Sequence, residues 1–213
     1  LKRRIREAKG QLWEVREQRI KPGLDDKVLT NWNGLMLATI AEAARVLNRA
    51  DYRKAAVRNG TFLLNVMQTN AGRLYHSWMR GGKPRLNGYL EDYAYLAEGL
   101  LELYQTTFDE QWFIAARDLV DTIITHFTDE ADEGFYDVSD DHEKLVLRPR
   151  DWQDNATPSG AAMTATVLFK IAAYTGERKY YKRANASLMP MQNPMSKYPT
   201  AFGQWLQALS FAL

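Results

Sequence analysis

Four aspartates and a set of aromatic and polar side chains mark where this chain could do chemistry. Asp25 and Asp26 stand together in LDDKVLTNWNGLM, Asp92 lies in GYLEDYAY, and Asp154 lies in DWQDNATPSG. Acid–base cleavage of a glycosidic bond needs two carboxyl groups flanking that bond, one of them kept protonated. Three separate segments supply the candidates, so Asp92 with one of Asp25, Asp26 or Asp154 is the expected catalytic set. In the same stretches lie Trp32, Asn33, Tyr93 and Trp152, and the segment RLYHSWMR ahead of the second adds His76, Trp78 and Arg80. Aromatic faces stack on sugar rings, and amide, imidazole and guanidinium groups meet hydroxyls, so these residues are the expected substrate contacts. Asn31, Glu91, Arg148, Arg150, Asp151 and Ser159 fall beside them.

Each carboxylate also has a structural reading. Asp and Asn just ahead of a helix are favoured caps, and acids in a first turn interact well with the helix dipole. For Glu91 and Asp92, capping competes evenly with catalysis. Asp25 and Asp26 in PGLDDK read as a turn more readily than as catalysts, Ser159 after Pro158 as a cap or first-turn residue, and the tryptophans as plugs of a core. Of three histidines only His76 falls at a promising position; a two-histidine proton shuttle for sugar epimerisation would need a partner from elsewhere. The acids between 129 and 143 lack the spacing of a calcium loop and read as a solvated acidic segment, so no metal or other cofactor is expected.

The elements that must position these residues follow from periodicity. NGLMLATIAEAARVL, YLEDYAYLAEGLLELY and PSGAAMTATVLFKIAAY are apolar almost all round, as in helices enclosed on most sides. Between them, YRKAAVRNGTFLLNVM and EQWFIAARDLVDTIITHF carry a single apolar stripe, in the second case Trp112, Phe113, Ala116, Leu119, Val120, Ile123, Ile124 and Phe127. An aromatic opens each surface helix at Tyr52, Trp112 and Tyr180, a repeat of roughly 60 to 70 residues. Three copies of an enclosed-helix, surface-helix hairpin are therefore predicted, with further helices around Ile5 to Arg19 and Phe202 to Leu213. Turns within hairpins are short (LNRAD, TTFDE, TGER), whereas the connections between hairpins run to roughly 20 and 30 residues. Both long connections contain alternating segments, RLYHSWM-RGG-KPRL and FYDVS-DDHEK-LVL, which predict small β-hairpins. In an antiparallel ring all the long loops fall on one rim, at the N-terminal ends of the enclosed helices, where function concentrates.

The predicted fold class is all-α: a partial (α/α)6 toroid of inner and outer helices over residues 1–213, with β-hairpins in the long loops of one rim. About four hairpins of such a ring are present; helical solenoids have shorter units, about 34 to 47 residues. Composition agrees, with 46% apolar and 25% charged residues, as in ordinary globular chains. Its 28 basic against 26 acidic residues give no basis for a nucleic-acid partner. No stretch reaches the roughly 18 apolar residues of a membrane span and no signal peptide opens the chain, so a cytoplasmic location is expected. With no cysteine, thiol and disulfide chemistry are excluded from these residues.

LDDKVLTNWNGLMLATIAEAARVL, GYLEDYAYLAEGLLELYQTTFDEQW and ATPSG resemble, in that order, the thioredoxin-domain-containing proteins that are bacterial relatives of spermatogenesis-associated protein 20. The resemblance covers nearly the whole chain. It implies a toroid similar to six-hairpin glycosidases and N-acylglucosamine 2-epimerases. It also implies an N-terminal thioredoxin-like domain, absent here, that with the rest of the toroid would be a partner of this segment. Where that family often reads Asp-Gly-Ala-x-Pro-Ser-x-Asn-Ser, this chain runs from Asp154 to Ala162 as DNATPSGAA, without the Asn-Ser pair. A carbohydrate-recognising, glycosidase-like domain is the leading expectation, ahead of a non-catalytic scaffold for the thioredoxin-like domain and of a sugar epimerase.

Overall fold

The inner helices owe their burial to sequences with apolar or small residues on every face. A computed structural model describes residues 1–129, 131, 134–143 and 146–213. In it α1 (Lys2–Glu17) is followed by α2 (Thr30–Val46), α3 (Ala50–Val66), α4 (Leu90–Thr107), α5 (Glu110–His126), α6 (Gly160–Thr175), α7 (Arg178–Leu188), α8 (Gln192–Lys197) and α9 (Gly203–Ala212). Helices α2, α4, α6 and α9 pack side by side in chain order as an arc of inner helices. The outer helices α3, α5 and α7 each pair with the inner helix before them. This is the predicted arrangement of hairpins. Helix α1 buries none of its residues.

Burial separates the two kinds of helix. Helix α4 buries residues on nearly every turn face, including Tyr93, Ala94, Tyr95, Leu96 and Ala97 in succession. Helix α5 buries only Trp112, Ala116, Leu119, Val120 and Ile123, one stripe at helical spacing. Small residues let the inner helices approach closely. A Cβ on Gly34 would sit 2.6 Å from the backbone of both Tyr95 and Leu96, and one on Gly99 would sit 2.7 Å from the Gly34 carbonyl oxygen. Helices α2 and α4 therefore meet through backbone, which fixes the separation of their first turns.

The first long connection folds as expected. β2 (Tyr75–Trp78) and β3 (Arg85–Asn87) form an antiparallel hairpin with Ser77 opposite Arg85. A third strand, β1 (Val28–Leu29), joins β2 with Leu29 opposite Ser77. Two residues carry no readable alternation, so β1 has no sequence signal. The second expected hairpin is not formed among its described residues: Phe135 makes an isolated bridge to Thr128, and residues 136–143 form no strand. Lys144 and Leu145 of that segment, and Glu130, Asp132 and Glu133 of the acidic loop, lie outside the described residues. Backbone bonds to its neighbours shape this loop instead: Asp137 accepts from the Leu90 amide at 2.9 Å and donates to the Pro149 carbonyl at 2.9 Å.

Among the described residues no helix is long and apolar enough to cross a membrane.

Candidate functional site

Where the first turns of α4 and α6 meet the long loops, the rim opens into a cleft of about 380 Å³. His76 and Tyr89 line it from the β-hairpin side, Glu91 from α4, Asp137 from the second long loop, and Asp151, Gln153 and Asn155 from the approach to α6. Thr157, Pro158, Ser159 and Gly160 close its floor.

Strand β2 brings His76 over the start of α4, where Nδ1 lies 2.9 Å from Oδ2 of Asp92. The carboxylate can only accept, so Nδ1 carries the hydrogen and Nε2 is the free ring nitrogen. Asp92 is fully buried. It also accepts from the amides of Asn31 and Tyr89, each at 2.8 Å. The Asp92 bond is the main reason that the His76 pKa is raised, with burial opposing it. Burial pushes Asp92 itself upward, against the pull of its three donors.

Glu91, one residue earlier, points into the cleft. Burial raises its carboxyl and the Asp92 charge adds to the rise, while a 2.6 Å hydrogen bond from Asn31 Nδ2 opposes it. Asp137 is raised as well, again chiefly by burial. The cleft thus holds two carboxyls biased toward the neutral form beside a histidine biased toward the charged one, three groups that all favour holding a proton for donation.

The expected site residues divide sharply. His76 lines the cleft, and Asp92 stands behind it as its partner rather than facing a ligand. Asp154 is spent on backbone: Oδ1 accepts from Ser159 N at 2.8 Å and Oδ2 from Gln204 N at 2.7 Å. Asp25 and Asp26 are exposed in an irregular segment away from the cleft lining, with Asp25 3.2 Å from Lys27 Nζ. None of the four expected aspartates lines the cleft; the carboxylates that do are Glu91, Asp137 and Asp151.

Tyr93 is no stacking surface. It is fully buried, and its hydroxyl accepts from Leu74 N at 2.8 Å and Arg73 Nε at 3.1 Å, an amide whose loss of partner would cost about 1–3 kcal/mol. Trp78 packs edge-on against Phe62 and donates to the Gly82 carbonyl at 3.1 Å. Arg80 is exposed at the hairpin turn. Trp32 is 63% exposed on the outer edge of α2, neither plugging the ring nor lining the cleft. Trp152 faces a separate apolar pocket with Trp205 and Met191. Asn33 donates to the Leu29 carbonyl at 2.9 Å and steadies the entry to α2. Arg148 and Arg150 both lie over the Tyr136 ring, 3.9 and 4.5 Å from its centroid, and brace the second long loop.

Sequence reasoning missed Tyr89, Asp137, Gln153 and Asn155. ATPSG flagged the floor of the cleft, but Asp137 sat inside a segment read as a strand. Tyr89 packs edge-on against His76 at 5.0 Å and lies 5.2 Å from the His142 ring, so it stands between the two histidines. Among the described residues no group of three or more His, Asp and Glu side chains could hold a metal ion.

No protein-family model matches the chain. It is homologous to spermatogenesis-associated protein 20: the human protein is 31% identical over 208 residues, 93% of this chain and 26% of that protein. The chain thus spans about a quarter of the length of this curated relative. Among solved structures it is similar to the cellobiose 2-epimerase of Spirochaeta thermophila, with TM-score 0.65 and 15% identity over 80% of this chain and 44% of the other. It is also similar to an inactive variant of an α-1,6-mannanase of Salegentibacter sp. in which two adjacent aspartates are replaced by asparagine, solved with α-1,6-mannotriose. That likeness has TM-score 0.60 and 16% identity over 76% of this chain and 46% of the other. These likenesses show the fold, an arc of an α/α toroid.

Proposed function

We propose that this arc forms part of a carbohydrate-binding rim, completed by further hairpins of a longer protein that also carries a thioredoxin-like domain, and that its cleft supports glycosidase-like acid–base chemistry. One observation carries the proposal: Glu91 and Asp137, both biased toward the neutral form by burial, share an open cleft with the His76–Asp92 pair. Protonated Glu91 donates its proton to the glycosidic oxygen as the bond to the anomeric carbon breaks. Water adds to that carbon, its proton passing to Asp137, which serves as base once pH has risen far enough to ionise its raised carboxyl. His76 meets sugar hydroxyls through Nε2. Support comes from the fold likeness to an α-1,6-mannanase, whose variant with two adjacent aspartates changed to asparagine is inactive and was solved with α-1,6-mannotriose.

Saturation-transfer NMR with manno- and cello-oligosaccharides tests the reading on this chain and on the full-length protein. Signal lost on Glu91→Ala and His76→Ala is expected. Sugar signal from neither protein would sink it.

A second reading, a non-catalytic scaffold for the thioredoxin-like domain, draws on Asp92 and Asp154, which spend their oxygens on backbone amides as caps do. It is favoured if no sugar binds while the domain itself is retained by this arc in a pull-down.

A further inference from the structure

Asn31 is 5% exposed in the first turn of α2, and every polar group it presents toward α4 is used. Its backbone N–H donates to Asp92 Oδ1 at 2.8 Å, and its side-chain Nδ2 donates to Glu91 Oε1 at 2.6 Å. Its Oδ1 accepts from the Trp32 amide at 2.8 Å. The last contact settles which way the side chain is turned: the Trp32 N–H can only donate, so the atom facing it is oxygen and the atom facing Glu91 is the NH₂ group. One residue therefore touches both adjacent carboxyls of α4, one facing the cleft and one behind His76. The Gly34 contact, one turn further along α2, keeps this arrangement at a fixed separation.

Taking the cleft to bind a sugar as proposed above, we propose that Asn31 is the positioning residue of the site: it occupies Oε1 of Glu91, so that the acidic proton sits on Oε2, turned to the ligand. An oxygen that already accepts a short N–H bond is the poorer place for a proton, because an O–H there would confront the donor. Of the two oxygens open to the proton in a free glutamate, only Oε2 remains. Asn31 also limits how far burial lifts the Glu91 carboxyl, since its N–H favours the ionised form.

The test is the titration of the Glu91 carboxyl, followed by carbon NMR of the side chain, in the wild type, Asn31→Asp and Asn31→Ser. Asn31→Asp keeps the acceptor for Trp32 N but sets a second carboxylate against Glu91. It is expected to raise the Glu91 midpoint by roughly one unit or more. Asn31→Ser removes the donor with little change in charge and is expected to raise the midpoint by less. In both variants the pH dependence of sugar binding should move with the midpoint. An unchanged Glu91 midpoint in either variant, with a cooperative melt showing that it folds, overturns the proposal. A shifted midpoint in a protein that binds no sugar leaves the Asn31–Glu91 link standing and removes the carbohydrate reading. Sugar binding with an unshifted midpoint does the reverse.

Discussion

His76 holds Asp92, the one buried aspartate among the described residues, its Nδ1 2.9 Å from Oδ2. Because Asp92 raises the pKa of His76, the folded protein binds the imidazole proton more tightly than the unfolded chain. The sign follows: the contribution is fully present below the unfolded value of about 6.5 and is lost as pH rises through the folded value. A charged hydrogen bond of this kind contributes about 1.5–3 kcal/mol. Urea unfolding of wild type and His76→Gln at a series of pH values should show the two stabilities converging above neutrality. A constant difference would show that the pair does not titrate.

Glu91→Gln replaces an acid by a neutral isostere that still accepts from Asn31 Nδ2. If Glu91 is the proton donor, hydrolysis should fall by about 10²–10⁴-fold with sugar binding retained. Stability should move the other way. Burial raises the Glu91 pKa, so the wild type loses stability as pH rises from the unfolded value through the folded one, and Gln removes that decline. Melting curves at acidic and neutral pH check the second half without needing a substrate.

Gly34→Ala forces a methyl against the α4 backbone, 2.6 Å from atoms of Tyr95 and Leu96. Backbone cannot step aside as a flexible side chain can. A loss of about 1–3 kcal/mol is expected in denaturant unfolding. Because Asn31 and Glu91 sit on the two helices driven apart, the Glu91 titration should change too. A stable variant with an unchanged titration would mean that the helices yield freely.

Asp154→Ala frees two backbone amides, those of Ser159 and Gln204, which start α6 and α9. The expected cost is about 1–3 kcal/mol. Asp25→Ala, by contrast, removes an exposed contact to Lys27 and should alter stability by less than about 1 kcal/mol. Parallel thermal melts of the two variants would separate a carboxylate that caps from one that only decorates an exposed segment.

Helix packing was legible because burial on all faces and burial on one stripe leave different periodicities, as α4 and α5 show. The β2–β3 hairpin was legible from alternation around RGG. The cleft was legible only in part. Glu91 and Ser159 could be placed on the rim because they flank helix starts, and His76 and Asp151 because they fall in the long connections that lead to those starts. Asp137 could not, because a hydrogen bond to Leu90, far away in sequence, decides where it points. Asp92 and Asp154 carried an ambiguity that composition cannot resolve: a cap and a catalyst use the same residue at the same helix end, and only the partners of each oxygen tell them apart.

The Asp154 contacts also bear on how the chain assembles. Its carboxylate joins the start of α6 to the start of α9, just as Asp92 joins the start of α4 to Asn31 in α2. Each clasp closes only when two successive hairpins have both formed, so neighbouring repeats are made to fold as one unit. Synthesis from the N-terminus would then add hairpins in order, each new inner helix docking on a rim already clasped. A nascent chain stopped within the second long loop would expose the unclasped flank of α4 to chaperones.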